Sequence, residues 1–464
     1  MLEDSMHSRS DHDDHPEAHG IQDGVFNDVP NQVAPAEPVS THTKVLMLAA
    51  YSLLTAIRNP WLLLHGRIWA EEGTVYLRGA WSGSCLAAIA APHLGYYALW
   101  PNAIALIAAR CLPLQLAALF MTWCAFSVQV LAGYLIVQCE AFRVVRTKAL
   151  ALTVLLLTAP SYEVWLNTIN SQFYLAVCAA LVLISDPGRA WVQRSVVLAV
   201  AALTGPLTTI LTPLFLLRAL TRKSRIAFFQ AALLTALAAM QIAVVHHCMK
   251  AGERHISFHP SVAIAGFFVQ FIALPFSGRF GNDLAKASLA RSASLHPAVT
   301  HVFSAGMTPP LFVFCYAMAD VTLIGTLLWI VIDRRDRSTP WLMAASLCLG
   351  FFSIYGSPDG VHLIGERYVF STAVLMGLSL LLAATGESAS GVKKIAARIL
   401  LVCFLFAGSF DYLTYSRRWV PYVNPGGADW YTQAKRWQKD ANQKLSVWPV
   451  WFPQRDFTLP PSHE

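Results

Sequence analysis

Two adjacent carboxylates, Glu71 and Glu72, are the residues of this chain whose type and spacing are best suited to chemistry. They stand in the run Arg67-Ile68-Trp69-Ala70-Glu71-Glu72-Gly73-Thr74-Val75-Tyr76, between aromatic side chains. Carboxyl groups near apolar walls have raised pKa values, which suits a general base or a metal ligand. Because helical neighbours point about 100° apart, we expect only one of the two to face a given site. The alternative interpretation is a loop of ordinary surface acids.

A second run, 161–172, contains no Lys or Arg and is rich in amides. Asn167, Asn170 and Gln172 offer paired hydrogen-bond donors and acceptors, and Trp165 offers a flat apolar face. Sugar hydroxyls are bound by this combination of bidentate hydrogen bonds and a stacking surface. The run therefore indicates either a sugar or acceptor site, or helix capping beside an interfacial belt of aromatic residues.

A third group of polar residues occupies the run 357–368. His362, Glu366 and Arg367 lie close together there, directly before an apolar segment. A guanidinium at the membrane edge can bind a lipid phosphate bidentately, and Arg279 is a second candidate for that role. The alternative for Glu366 and Arg367 is a neighbouring pair that anchors a helix end.

The elements that must position these residues are membrane helices. Of the 464 residues, 55% are hydrophobic and only 13% are charged, and mean hydropathy is +0.48. Soluble domains carry about 25% charged residues. Apolar runs long enough to cross a hydrocarbon core of about 30 Å recur along the chain. The composition predicts an all-α polytopic membrane protein.

The apolar runs predict spans near 43–58, 114–138, 147–161, 171–185, 226–246, 309–332, 339–356, 367–385 and 394–413. A further stretch, 195–220, is interrupted by Gly205-Pro206, and it fits two short helices better than one straight span because proline removes a helix hydrogen bond. We expect about ten to twelve transmembrane helices in a domain covering residues 43–413. Residues 1–42 are polar and predict a disordered cytoplasmic tail.

The distribution of basic residues predicts the orientation. With the N-terminus in the cytoplasm, the inside loops are 139–148, 186–194, 218–225, 333–338 and 386–394, and these contain most of the Lys and Arg of the membrane domain. Residues 59–113 and 247–308 then form large outside loops, and the aromatic-rich tail 414–464 is also outside. Residues 96–110 are assigned to an interfacial helix of the first outside loop. The net charge of +7 reflects these loops, and nothing in the pattern indicates nucleic-acid binding.

The acidic pair after the first span, followed by aromatic and basic residues, resembles the first outside loop of the GT-C superfamily of membrane glycosyltransferases. Residues Ala91-Pro92-His93-Leu94-Gly95-Tyr96-Tyr97 are similar to a stretch that opens a second interfacial helix in that family. The next span, from about residue 114, ends in a basic inside loop, which is also the family order.

The resemblance implies an inverting glycosyltransferase that moves a hexose or pentose from a polyprenyl-phosphate donor to a glycan, lipid or protein acceptor. It implies an active site on the periplasmic face of a bacterial inner membrane, with the C-terminus also periplasmic. Glu71 or Glu72, with a preference for Glu72, would be the general base, and Arg367 or Arg279 would bind the phosphate. The amides, Trp165, His93, His362 and Glu366 would bind sugar or acceptor.

No cofactor is required by these residues, although the acids are compatible with a divalent cation. The sequence predicts no structural metal site, since the His spacings in 246–259 do not match a zinc pattern. No nucleotide-binding signature is present, which fits a sugar carried on a lipid. Two other functions stay open: a transporter or flippase of a lipid-linked or anionic solute, and a protein similar to O-antigen polymerases or ligases.

Overall fold

The computed structural model describes residues 39–159, 161–251, 264, 266–278, 280, 310–332, 338–356, 367–386, 391–419, 429–449 and 455–461. Three of the candidate site residues, Arg279, His362 and Glu366, lie outside these residues, as does most of the predicted outside loop 247–308. The predicted N-terminal tail also lies almost entirely outside them.

Helices make up most of the described chain. Their bounds are Thr41–Ile57, Pro60–His65, Arg78–Ser82, Cys85–Ala90, Leu99–Arg110, Leu114–Gln138, Val145–Leu157, Ser171–Ile184, Trp191–Leu203, Pro206–Thr209, Thr212–Arg222, Arg225–Lys250, Pro310–Val331, Ser338–Gly356, Arg367–Thr385, Gly391–Trp419 and Trp430–Lys439, with π-helices at Glu72–Leu77 and Val269–Ala273. Two short antiparallel hairpins join Pro92–His93 to Tyr96–Tyr97 and Leu445–Ser446 to Asp456–Phe457.

Five of these helices are long and apolar enough to cross a membrane: Leu114–Gln138, Arg225–Lys250, Phe314–Val331, Arg367–Thr385 and Gly391–Thr414. A bent pair of helices raises the number to six if it is one span, and three shorter apolar helices lie at Ser171–Ile184, Gly266–Gly278 and Ser338–Ile354. The expectation of an all-helical polytopic membrane protein is therefore confirmed for the described residues. The finer expectation of ten to twelve spans stays a prediction.

The interruption predicted at Gly205-Pro206 is present. The helices Trp191–Leu203 and Pro206–Arg222 meet at an angle of 118°. Gly205 has a φ of +151°, a backbone conformation that side chains strongly disfavour. Pro206 then begins a new short helix, where its missing N–H removes no hydrogen bond. The glycine and proline together therefore turn the chain inside an apolar stretch.

Two helices at the centre of the bundle meet at their first turns. The Ser371 hydroxyl donates to the Phe173 carbonyl at 2.8 Å, and the rings of Tyr174 and Phe370 lie 4.5 Å apart. Both helices are almost wholly buried along their length. Because they begin side by side, the loop before Ser171 and the side chain of Arg367 are brought to the same end of the bundle.

A buried ion pair ties three parts of the chain together at this end. Arg58, at the end of the first helix, donates to Asp411 of the helix Gly391–Trp419 at 3.2 Å and to the Ser161 hydroxyl at 2.7 Å. Its guanidinium also covers the ring of Trp165 at 4.3 Å. The loop 161–170 is thus anchored on both neighbouring helices.

Candidate active site

The two adjacent acids take different positions, as expected for helical neighbours. Glu72 begins the π-helix Glu72–Leu77 and is 1% exposed, whereas Glu71 precedes it and is partly exposed. π-Helical turns are rare and occur often at functional sites, because the extra residue in the turn redirects the side chains. The two carboxylates therefore meet different surroundings.

Both carboxylate oxygens of Glu72 accept hydrogen bonds from protein donors. Its Oε2 accepts from the Trp69 backbone N–H at 2.7 Å, and its Oε1 accepts from the Thr168 hydroxyl at 2.6 Å and from the Thr168 backbone N–H. Burial raises the pKa of the Glu72 carboxyl, while these hydrogen bonds and the charge of Arg67 act in the opposite direction. Glu72 thus joins the first loop to the loop 161–170.

Glu71 presents a different environment. Its Oε2 is buried and has no hydrogen-bond partner within the described part of the chain. The hydroxyl of Tyr76 is buried and unpartnered among the same residues. The charge of Glu71 acts on Tyr76 and on Arg367, so each of these two side chains lies within electrostatic range of Glu71. Buried polar atoms normally have partners, and exceptions need an explanation.

Tyr76 remains a hydrogen-bond donor in this position. Burial raises the pKa of the phenol well above its ordinary value, and the nearby groups Tyr96, Glu71 and Glu72 add to the effect. The hydroxyl therefore keeps its proton at neutral pH. A buried acceptor and a buried donor, neither with a partner in the described part of the chain, thus lie on one short stretch, residues 71–76.

A β-hairpin forms the next wall of the site. His93 pairs with Tyr96 across a turn in which Leu94 and Gly95 have positive φ values of 56° and 83°, the pattern that closes two-residue hairpins. The His93 ring packs edge-on against Tyr76, with the centroids 4.8 Å apart. The sequence stretch predicted to open an interfacial helix therefore forms this hairpin first, and the helix Leu99–Arg110 follows it.

Gln172 contacts the hairpin from the opposite loop. Its Nε2 donates to the Tyr96 hydroxyl at 3.1 Å. On its other side lies Gly205, where an added Cβ would stand 2.3 Å from Gln172 Oε1. The break in the membrane helix therefore borders the candidate site. Tyr96 had no predicted role, although the His-Leu-Gly-Tyr turn is a signal in the sequence that could have identified it.

Arg367 lies at the start of its helix beside acidic groups. Its backbone N–H donates to Glu163 Oε2 at 3.3 Å, and its guanidinium stands 5.2 Å from the centroid of the Tyr368 ring. The charges of Glu163 and Glu71 both act on it. Glu163 is a second residue without a predicted role, since sequence spacing does not reveal a contact between residues so far apart in the chain.

The other predicted sugar-binding residues hold the second loop together. Asn167 and Asn170 both donate through Nδ2 to the Glu163 carbonyl, at 2.7 and 2.8 Å, and Asn167 Oδ1 accepts from the Asn170 backbone N–H at 3.0 Å. Trp165 is 1% exposed beneath the Arg58 guanidinium. In this conformation a sugar would have to displace these contacts, and only Gln172 of the four reaches the side of Tyr76 and Tyr96.

The described residues contain no group of three or more His, Cys, Asp or Glu side chains that could hold a metal ion. The structure brings Glu71, His93 and Gln172 to one region around Tyr76 and Tyr96, with Arg367 within electrostatic range of Glu71. It turns Glu72, Asn167, Asn170 and Trp165 towards contacts within the protein.

No family model, curated protein or solved structure matches this chain.

Proposed function

We propose that the protein is a membrane glycosyltransferase that uses a sugar linked to a lipid phosphate, with Glu71 as the general base. One observation carries the proposal. Among the described residues, a carboxylate oxygen of Glu71 and the hydroxyl of Tyr76 are both buried without a hydrogen-bond partner, and Glu71 lies within electrostatic range of Arg367. Leaving such groups unsatisfied costs about 1–3 kcal/mol each, so a ligand that pairs with them offsets a real penalty.

The sequence favoured Glu72 as the general base, whereas we propose Glu71. A general base must accept a proton from the substrate, which requires a free carboxylate oxygen within hydrogen-bond reach of it. Glu72 has three protein hydrogen bonds on its two oxygens. We assign Glu72 to positioning the loop, and Glu71 to chemistry.

The proposed step transfers the sugar by direct displacement. Glu71 accepts the proton of the acceptor hydroxyl as that oxygen attacks the anomeric carbon, and the bond from this carbon to the lipid phosphate breaks. The electron pair of that bond goes to the phosphate oxygen, where the Arg367 guanidinium stabilises the new charge. A single displacement inverts the configuration at the anomeric carbon.

The remaining side chains suit recognition of a sugar. Tyr76 supplies a neutral hydroxyl donor, Gln172 supplies an amide, and the rings of His93 and Tyr96 supply apolar faces with polar edges. This combination supports carbohydrate as the substrate class, while the position of Arg367 at a helix end supports a phosphate held near the membrane surface. The acceptor stays open between glycan, lipid and protein.

A second candidate function, transport of a lipid-linked or anionic solute, has one observation in its favour. The helix pair broken at Gly205 bends by 118° and borders Gln172. Discontinuous helices of this kind form the binding sites of many transporters. A transporter would move its solute chemically unchanged, whereas the proposed enzyme consumes it.

The experiment that tests the proposal is turnover of a panel of polyprenyl-phosphate sugars by purified protein, with a glycan and a lipid acceptor supplied. We expect one donor to be consumed and its polyprenyl phosphate released. Arg367→Gln should raise the KM for that donor at least about tenfold, which corresponds to about 1.4 kcal/mol of lost binding. The matched control is Arg455→Gln, at an exposed arginine.

Two outcomes would contradict the proposal. If folded protein consumes no donor but moves one intact across reconstituted vesicles, the transport function replaces it. If Arg367→Gln and Arg455→Gln leave the same KM, Arg367 does not bind the phosphate.

A further inference from the structure

The C-terminal segment, residues 429–461 with 450–454 outside the described chain, packs against the first loop, residues 59–113. The indole N–H of Trp430 donates to the Leu114 carbonyl at 2.8 Å, just after that loop. The rings of Trp81 and Trp437 meet edge to face at 5.5 Å, and the Trp81 indole donates to the Pro460 carbonyl at 3.1 Å. Buried aromatic contacts and satisfied indole donors indicate a specific interface.

The backbone of the segment also pairs with the chain directly before the two acids. Trp448 donates its N–H to the Ile68 carbonyl at 2.9 Å, and its carbonyl accepts from the Ala70 N–H at 2.5 Å. The rings of Trp69 and Trp448 lie 4.6 Å apart. The Arg67 guanidinium stands 4.8 Å from each of these two rings. Residues 67–70 are thus held on one side by the C-terminal segment.

Gly73 permits a closer approach than any other residue would. A Cβ added there would stand 2.4 Å from Val447 Cγ1, 2.8 Å from Ile68 Cγ2 and 3.1 Å from the Phe457 ring. The first two distances are shorter than real Cβ contacts allow. By contrast, a Cβ added at Gly79, on the helix that follows, would have as its nearest neighbour the His93 ring at 4.0 Å.

We infer that the C-terminal segment is a clamp that positions Glu71 and Glu72. It fixes the backbone of residues 68–70, and that backbone in turn binds Glu72 through the Trp69 N–H at 2.7 Å. Trp448 and Gly73 act through this backbone and are positioning residues. The catalytic role of Glu71 rests on the proposed function, whereas the positioning of Glu71 and Glu72 by the C-terminal segment is inferred from contacts alone. The direct contact also requires the first loop and the C-terminal segment to lie on the same face of the membrane.

The test measures the surroundings of position 71 without any substrate. Glu71→Cys is introduced as a reporter in full-length protein in which the exposed Cys85, Cys111, Cys315 and Cys403 are replaced by Ser, and the alkylation rate by a membrane-impermeant maleimide is followed. Adding Gly73→Ala or Trp448→Ala should raise the rate at least about fivefold, because local opening exposes the site. Gly79→Ala, which makes the same change six residues further along, should leave the rate unchanged. Trp448→Phe should give the rate of the reporter protein alone, because it retains an aromatic ring.

Equal alkylation rates in the Gly73→Ala, Trp448→Ala and Gly79→Ala proteins would overturn the inference. A second measurement covers variants that fail to fold. Gly73→Cys with Val447→Cys should form an intramolecular disulfide in native membranes, since the two side chains would be adjacent, whereas Gly79→Cys with Val447→Cys should not. Absence of the first disulfide in folded protein would also contradict the clamp. Neither readout depends on sugar transfer, so failure of the clamp and failure of the proposed function are distinguished.

Discussion

Glu72 accepts hydrogen bonds from both the backbone N–H and the side-chain hydroxyl of Thr168, the latter at 2.6 Å. This contact joins two loops that are 96 residues apart in the chain. It also distinguishes the two adjacent acids, because both Glu72 oxygens accept protein hydrogen bonds, whereas Glu71 Oε2 is buried without a partner among the described residues.

Removing the Thr168 hydroxyl should destabilise the protein. Thr168→Val keeps the shape of the side chain and loses one hydrogen bond to a buried carboxylate, which should cost about 1–3 kcal/mol and lower the apparent Tm. Thr153→Val is the matched control, since that hydroxyl only bonds back to the Ala149 carbonyl of its own helix. An equal Tm for the two variants would show that the hydrogen bond between Thr168 and Glu72 contributes no more stability than one within a single helix.

The Glu72 carboxyl should make stability fall as pH rises. Burial raises its pKa in the folded protein, so the folded chain holds this proton more tightly than the unfolded chain does. The stabilisation is fully present below the ordinary Glu pKa of about 4.3 and is lost as pH rises through the higher folded value. The measurement is the difference in apparent Tm between wild type and Glu72→Gln across this range. As pH rises, we expect the apparent Tm of the wild type to fall relative to that of Glu72→Gln. A rise of the wild-type Tm relative to the variant would contradict the raised pKa.

Breaking the buried ion pair should be more costly than breaking an exposed one. Asp411→Asn removes the charge that faces Arg58, whose side chain is 1% exposed, and should destabilise the protein by about 3–5 kcal/mol. Asp456→Asn, in an exposed pair with Arg455, should cost about 1 kcal/mol or less. Thermal unfolding of the two variants shows which substitution costs more stability. Similar losses would mean that other groups compensate the charge of Arg58.

Tyr76→Phe should separate function from stability. It removes a buried hydroxyl that has no partner in the described chain, so the apparent Tm should stay level or rise. Donor turnover should fall about threefold to tenfold if this hydroxyl binds the sugar. Tyr97→Phe is the comparison, because the Tyr97 hydroxyl donates to the Ile89 carbonyl at 3.0 Å and its loss should lower the Tm. Unchanged turnover in Tyr76→Phe would remove Tyr76 from the site.

The membrane helices were largely predictable from the sequence, because apolar length sets them directly. The predicted spans 114–138 and 367–385 coincide with the helices Leu114–Gln138 and Arg367–Thr385. The break at Gly205-Pro206 followed from backbone chemistry in the same way. The hairpin at His93 was not predicted, since its turn carries Leu94 in a left-handed conformation that leucine seldom adopts.

The candidate site was predictable in part. The sequence pointed to the first loop and to Arg367, but periodicity could not say which of two neighbouring acids would be bonded by Thr168. Periodicity also could not predict the contacts of the C-terminal tryptophans. The sequence predicted only an aromatic-rich outside tail, and no local pattern indicated that Trp448 pairs with the backbone of Ile68 and Ala70. The spacing of residues along a sequence does not predict which distant parts of the chain are in contact.

The most direct test of the central claim is the rate of donor consumption by Glu71→Gln protein, measured beside Asp186→Asn, an exposed acid outside the site. A general base contributes about 100-fold or more to a rate. We predict a loss of at least that size in Glu71→Gln, in protein that remains folded, with wild-type rates in Asp186→Asn. A Glu71→Gln rate equal to that of wild type would contradict the account.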